Sequence, residues 1–166
     1  QENPVLRAAR RQRCRLMAGI EIVCYDCSRQ NIELGEIWMS NKEIIQGLYR
    51  SFAAGDIQAV TAVFADNIAW TEADGFPLAG TYIGPQAVVE NVFMRLGEFS
   101  DNWGVAVDRY VADGDTVVAD GRYTWNHKET GEPCSVRMAH VWTLADGKAV
   151  AFLQHVDSAK VRELID

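Results

Sequence analysis

The stretch VRMAHVWTL, residues 136–144, sets one histidine inside a run that otherwise reads as buried strand. Successive residues of a strand point to opposite faces. Cys134, Val136, Met138, His140 and Trp142 therefore share one face, and Ser135, Arg137, Ala139, Val141 and Thr143 the other. His140 stands on the apolar side. A ring placed there is either a structural histidine held by a backbone or hydroxyl group, or a cavity-lining donor to a ligand's carbonyl oxygen. The following strand, by the same alternation, turns Val150, Phe152, Gln154 and Val156 inward. Gln154 is then the neighbour of His140 across the hairpin. A buried amide needs partners, so the two are expected to form a neutral hydrogen-bonding pair that holds a polar substituent. Glu72, in TEADG, lies near a strand end. In apolar surroundings its pKa would rise, as suits a general acid or base. Close to His140, its charge would raise the pKa of the imidazole.

Other chemistries find no residues. His155 faces away from Gln154 and His127 sits beside a hairpin turn, so the three histidines assemble no metal site. Cys24-Tyr25-Asp26-Cys27 is a CxxC without a second ligand pair at finger spacing. There is no glycine-rich phosphate loop and no Gly-x-Ser-x-Gly elbow. Asp157 reads as a helix N-cap, and Asp74 falls in a loop at the mouth.

These residues need a scaffold, and the length of 166 residues allows one domain with a real core. Residues 1–38 show no sustained period and are expected to be a leader or a vector-derived arm, with the domain at 39–166. From Asn41, Ile44, Ile45, Leu48, Tyr49 and Phe52 recur at helical spacing as far as Gly55. Asp56 caps a second helix. Residues 68–73 form a strand, and DGFPLAGTYIGP reads as a loop of turn formers. Pro85 opens a third helix to about Glu98. The period then becomes two, predicting strands at 103–112, 116–127, 134–145 and 148–156 with Asp-Gly turns between them, and a last helix to Leu164. The order is α+β. A curved antiparallel sheet wrapped around helices leaves a cone with an open mouth. Its inner positions on the second long strand are Val117, Ala119, Gly121, Tyr123 and Trp125.

The charge of −7 is uneven: residues 1–39 hold six arginines against five acids, and residues 40–166 are near −8. An acidic domain repels phosphate backbones, which argues against a nucleic-acid partner. No run of about 18 apolar residues offers a membrane span. Only Cys134 lies beyond residue 27, which is no disulfide framework and fits a reducing cytoplasm.

The segments YRSFAAGDIQAVTAVFADNIAWTE, LAGTYIGPQAV and AHVWTLADGKAVAFLQHVD resemble the SnoaL-like and ketosteroid-isomerase-like branch of the NTF2-like superfamily, across nearly all of 41–165. The resemblance implies a cone-shaped α+β barrel with a deep pocket. The superfamily holds isomerases, polyketide cyclases, dehydratases, epoxide hydrolases and many non-enzymes, so the fold alone does not set the activity. It implies that Glu72 stands where the isomerases carry their proton-moving carboxylate. His140 falls at the oxyanion-hole position, where the cyclases also look to have histidine. Two positions depart. The isomerase tyrosine of the first helix falls on Leu48, with Tyr49 about 100° further around the helix. The cyclase aspartate of the last strand falls on Gln154, which is no base.

The reading is a pocket for a small hydrophobic molecule in a homodimer formed through the outer sheet face. The sharper form is a cofactor-free proton-transfer enzyme acting on a ketone or polyketide-like ring. Glu72, His140 and Gln154 are then catalytic, and Trp70, Tyr49, Tyr123, Trp125, Met138, Trp142, Phe152 and Val156 form the walls. The alternative is a binding module without chemistry. Epoxide hydrolysis ranks lower because it wants an inward arginine, and Arg122 and Arg137 fall on outward positions.

Overall fold

The computed structural model describes residues 12–15, 21–24, 39–100 and 102–165. The chain divides into compact units at 1–37 and 38–166. In the first, β1 (Gln12–Arg15) pairs antiparallel with β2 (Glu21–Cys24). Two strands of four residues each are too short to show a period in sequence. The rest of the expected leader, and the CxxC motif beyond Cys24, lie outside the described residues.

The second unit opens with α1 (Asn41–Ala53). A reciprocal capping box starts it. The Ser40 hydroxyl accepts from the Glu43 amide at 3.3 Å, and the Glu43 carboxylate accepts from the Ser40 amide at 2.7 Å. Its buried stripe is Ile45, Leu48 and Tyr49. Asp56 caps α2 (Ile57–Ala62) by accepting from the Ala59 amide at 2.9 Å. β3 runs from Phe64 to Glu72, starting four residues before its apolar core Ile68-Ala69-Trp70. The loop expected next contains a strand, β4 (Gly80–Ile83), which pairs with β3 from Ala69 to Glu72. Glycines at both ends of a four-residue edge strand hide it among turn formers.

The third helix is interrupted. α3 (Pro85–Val88) passes into a π-helical turn at Val89–Phe93 and then α4 (Met94–Leu96). β5 (Gly104–Asp113), β6 (Thr116–Asn126), β7 (Pro133–Ala145) and β8 (Lys148–Val156) follow within a residue or two of the predicted bounds. α5 (Ser158–Ile165) is capped by Asp157, which accepts from the Lys160 amide at 3.0 Å. No helix among the described residues is long and apolar enough to cross a membrane.

One curved sheet carries six strands in the order β4-β3-β8-β7-β6-β5. All its pairs are antiparallel except β3–β8, which is parallel. Hairpin alternation accounts for the antiparallel run from β5 to β8 but says nothing about the direction in which β3 meets β8, and that seam is parallel. A correction comes from a bulge. Thr143 pairs with Ala151 and Leu144 with Ala149, which leaves Val150 without an opposite residue. Ala149 is therefore the buried residue, and Val150 is only half-buried.

The face that packs on the helices holds Val117, Ala119, Tyr123, Trp125, Val136, Met138 and Trp142, all buried. Gly121 lies in the same row for another reason. β5 bulges at Asp108, and a Cβ on Gly121 would stand 2.1 Å from the Ala106 carbonyl oxygen. The outer face of β5–β7 is laced by ion pairs. Asp108 takes Arg122 at 2.9 Å and Arg137 at 3.2 Å, and Asp120 takes Arg109 at 2.8 Å. Arg122 and Arg137 thus point outward, as alternation requires.

Candidate functional site

The concave face of the sheet and the helices above it enclose a pocket of about 470 Å3, counted out to its mouth. α1 contributes Leu48, Tyr49 and Phe52. The π turn and α4 give Val92, Phe93 and Leu96, β3 gives Trp70 and Glu72, and the long strands give Tyr123, His140, Trp142 and Gln154. The wall is apolar with a few converging polar groups, the usual make-up of a small-molecule site.

Four of those polar residues form one hydrogen-bonded chain with Trp142. The Trp142 indole N–H donates to the Tyr49 hydroxyl at 3.0 Å. That hydroxyl lies 2.7 Å from Nδ1 of His140. Nε2 of His140 lies 2.7 Å from the Tyr123 hydroxyl, which accepts from the Gln154 amide nitrogen at 2.7 Å. Gln154 Oε1 closes the chain by accepting from the Ala73 amide at 3.0 Å. The expected direct pair of His140 and Gln154 is corrected here. Their backbones are partners across β7–β8, but the Tyr123 hydroxyl stands between their side chains. Alternation placed all three residues inward; it could not tell that a tyrosine from β6 reaches the gap.

Burial acts on each titratable group. It lowers the His140 pKa to about 3, so the ring is neutral at ordinary pH. The expectation that Glu72 would raise this pKa is corrected: desolvation prevails, and a smaller push in the same direction comes from His155. Burial raises Tyr49 and Tyr123 well above an ordinary phenol, which keeps both hydroxyls protonated.

Glu72 is 3 % exposed. Its Oε1 accepts from the Trp70 indole N–H at 2.6 Å, and its Oε2 has no partner. Burial pushes its pKa up to about 7, with the Trp70 bond pulling the other way. An unpaired buried carboxylate oxygen is costly in a fold kept only for stability. The alternation of β3 brings Glu72 inward beside Trp70, whereas Asp74 lies exposed in the turn beyond it.

The two shifts oppose each other in stability. From an ordinary pKa of 4.5 up to about 7, folded Glu72 holds a proton that the unfolded chain has lost, so stability falls as pH rises. From 6.5 down to about 3, folded His140 lacks a proton that the unfolded chain has gained, so stability falls as pH drops. Between about pH 4.5 and 6.5 the slopes cancel. Glu72→Gln removes one of them. In urea titrations the variant should therefore gain on the natural protein by roughly 1.4 kcal/mol per pH unit across that window. A difference that does not change with pH would mean that Glu72 is ionised throughout.

Of the expected wall residues, Trp70, Tyr49, Tyr123 and Trp142 do line the pocket. Phe152 lies behind the wall, stacked on Trp70 with ring centres 3.7 Å apart. Trp125 stacks on Trp103 at 4.6 Å, and Met138 pairs with Val156 on the last rungs of β7–β8. Alternation assigns a face but not a depth along the strand, which explains these placements. Phe76, Phe93 and Trp103 also stand in the wall, at positions that residue periodicity does not mark. Phe76 sits within the turn-former segment, yet it is the one large apolar side chain flanked there by Gly75 and Pro77. No group of three or more metal-binding side chains exists among the described residues.

Comparison with known proteins agrees with this architecture. A family model described as a SnoaL-like domain matches residues 45–152. An NTF2-like protein from Burkholderia thailandensis E264 is 37 % identical, with a TM-score of 0.73 over 78 % of this chain and 99 % of its own. An NTF2-like protein from Burkholderia pseudomallei K96243 is 27 % identical, with a TM-score of 0.70 over 76 % and 98 %. TerC, co-crystallised with polyporic acid, is 25 % identical, with a TM-score of 0.69 over 75 % and 97 %. No curated protein matches in sequence. A family match over most of the chain, together with the curved six-stranded sheet and its covering helices, makes this protein a member of the SnoaL-like family of the NTF2-like superfamily.

Proposed function

We propose that the pocket binds a small, flat, hydrophobic ketone or polyketide-like ring and moves a proton on it without a cofactor, in the manner of an isomerase, cyclase or dehydratase. The observation that carries this reading is the unpaired Oε2 of Glu72 in the pocket wall. The ionised carboxylate takes a proton from the carbon beside a carbonyl, and the resulting acid returns it. A pKa of about 7 suits both halves of that cycle. Trp70 holds Oε1 and so fixes where Oε2 points. Oxyanion stabilisation comes from a tyrosine hydroxyl that His140 positions, because both ring nitrogens of His140 are already engaged within the protein. The crystallisation of TerC with polyporic acid supports a small-molecule ligand.

The test is deuterium exchange at the α-carbon of 2-tetralone in heavy water, followed by NMR. The natural protein should accelerate exchange over buffer and Glu72→Gln should not. If the natural protein binds the ketone without accelerating exchange, the second reading holds, a binding module of the same fold. Gln154 favours that second reading, since it stands where a base is expected and is committed to Tyr123 and Ala73. Epoxide hydrolysis gains no support, because Arg122 and Arg137 are spent on Asp108 and Asp120. The reading extends to a homodimer through the outer face of β5–β7 and to a reducing cytoplasm, which suits the free buried thiol of Cys134. It also keeps 1–38 as a leader or arm, with the domain at 39–166.

A further inference from the structure

The chain from Trp142 to Gln154 holds one hydrogen more than it can use. Both of its ends are donors. The Trp142 indole can only donate. The Gln154 amide is fixed in orientation because its oxygen accepts from the Ala73 amide, so its nitrogen faces Tyr123. Each tyrosine oxygen therefore receives one hydrogen from outside. Between them lie two gaps, Tyr49 to Nδ1 and Tyr123 to Nε2, each 2.7 Å wide. Each gap takes one hydrogen. Tyr49, a neutral His140 and Tyr123 bring three.

The surplus must sit on one tyrosine, and the histidine tautomer decides which. With the hydrogen on Nδ1, the imidazole donates to Tyr49, Tyr123 donates to Nε2, and the Tyr49 hydrogen is free. With the hydrogen on Nε2, the imidazole donates to Tyr123, Tyr49 donates to Nδ1, and the Tyr123 hydrogen is free. Both tyrosines line the pocket. Tyr123 belongs to the Glu72 end: its hydroxyl is bonded to Gln154, which is bonded to the amide that follows Glu72. Tyr49 belongs to the Trp142 end.

We infer that Tyr123 is the group that donates to a ligand oxygen, that His140 is a positioning residue whose Nε2–H tautomer releases the Tyr123 hydrogen, and that the ligand class is a flat ring with an oxygen acceptor close to the carbon or hydroxyl that Glu72 meets. This rests on the proposed function only for the choice of a carbonyl ligand. The unpaired acceptor Oε2 and the surplus O–H at the same end form a complementary pair, and a plain hydrocarbon satisfies neither.

The test uses Glu72→Gln as background, so that the result does not depend on proton transfer. Binding of 2-tetralone and of its hydrocarbon analogue tetralin is read by tryptophan fluorescence. The ketone should bind about tenfold tighter, the worth of one neutral hydrogen bond to a ligand. Added Tyr123→Phe should abolish that preference and added Tyr49→Phe should keep it. Nitrogen-15 spectra of histidine-labelled natural protein supply a readout that needs no tyrosine variant. The chain has three histidines, and with 2-tetralone bound His140 should carry its hydrogen on Nε2. Equal binding of ketone and hydrocarbon, binding of neither, a preference lost in Tyr49→Phe instead, or an Nδ1–H ring in the complex would each overturn the assignment. Failure of deuterium exchange with the ketone preference intact would end the catalytic reading and leave this one standing.

Discussion

Glu72→Gln should slow α-proton exchange on 2-tetralone by a hundredfold to ten-thousandfold, the usual contribution of a positioned general base. The amide keeps the shape and can still accept from the Trp70 indole through its oxygen, so ligand binding should change little. The loss then falls on kcat rather than on KM, as expected for a group that acts in the transition state. The pH profile of the natural protein is part of the same result. Exchange should rise with pH and level off above an apparent pKa near 7, because only the ionised carboxylate removes a proton and burial holds its pKa there. An ordinary solvated glutamate would reach its plateau near pH 5. A profile without a bend near 7, or a Gln variant of natural activity, would remove Glu72 from the chemistry.

Gly121→Ala should have the largest effect on the fold, at least about 3 kcal/mol of lost stability, the upper end of what overpacking costs. The added methyl group would meet the Ala106 carbonyl oxygen at 2.1 Å, the Val107 Cα at 2.8 Å and the Ala106 carbonyl carbon at 3.0 Å. All three are backbone atoms, so no side-chain rotation relieves the clash. β5 must move off β6, and Val105 and Tyr110, which pack on the core from β5, move with it. Against a total stability of roughly 5–15 kcal/mol this is severe. Gly47→Ala in α1 is the control of opposite sign. Its new methyl would meet only the Arg50 side chain, at an ordinary 3.6 Å. In a helix interior the change should stabilise by about 0.5–1 kcal/mol. Urea midpoints of the two variants decide both expectations.

Much of this arrangement is legible from residue patterns. The four long strands show a clean period of two and Asp-Gly turns, and their bounds fall within a residue or two. Inward placement of His140, Gln154, Tyr123 and Trp142 follows from that period alone. Three things do not. The strand β4 is hidden because its Thr-Tyr-Ile is too short between two glycines to show a period. The inner position in β8 slips by one before Phe152, because a bulge at Val150 leaves no mark in composition. The third is the site's wiring. Faces can be counted from sequence, but whether His140 bonds Gln154 or a tyrosine depends on the lateral spacing of β6, β7 and β8, which only the folded sheet fixes. By alternation Gly121 is simply one more inner residue; the close approach of β5 that requires a glycine there is a feature of the neighbouring strand.

The parallel seam between β3 and β8 has a kinetic consequence. The hairpins β5–β6, β6–β7 and β7–β8 join neighbours along the chain, whereas β3 must find β8 after the whole meander has passed, as in the stacking of Trp70 on Phe152. Closing so long a loop is an entropic burden that local contacts do not repay, so the seam is expected to form after the rate-limiting barrier. Glu72 is carried on β3. Its carboxylate then loses its water on the far side of that barrier, and the resulting penalty belongs to the native state and not to the transition state. Raising the pH from 5.5 to 8 should quicken unfolding, while refolding should change only by the gain that comes as the unfolded chain sheds the His140 proton near 6.5, as seen by stopped-flow tryptophan fluorescence. Glu72→Gln should remove that acceleration. If refolding slows with pH instead, the seam closes early. On this account the carboxylate that gives the pocket its chemistry also sets the lifetime of the native fold, shortening it in the pH range where the base is ionised.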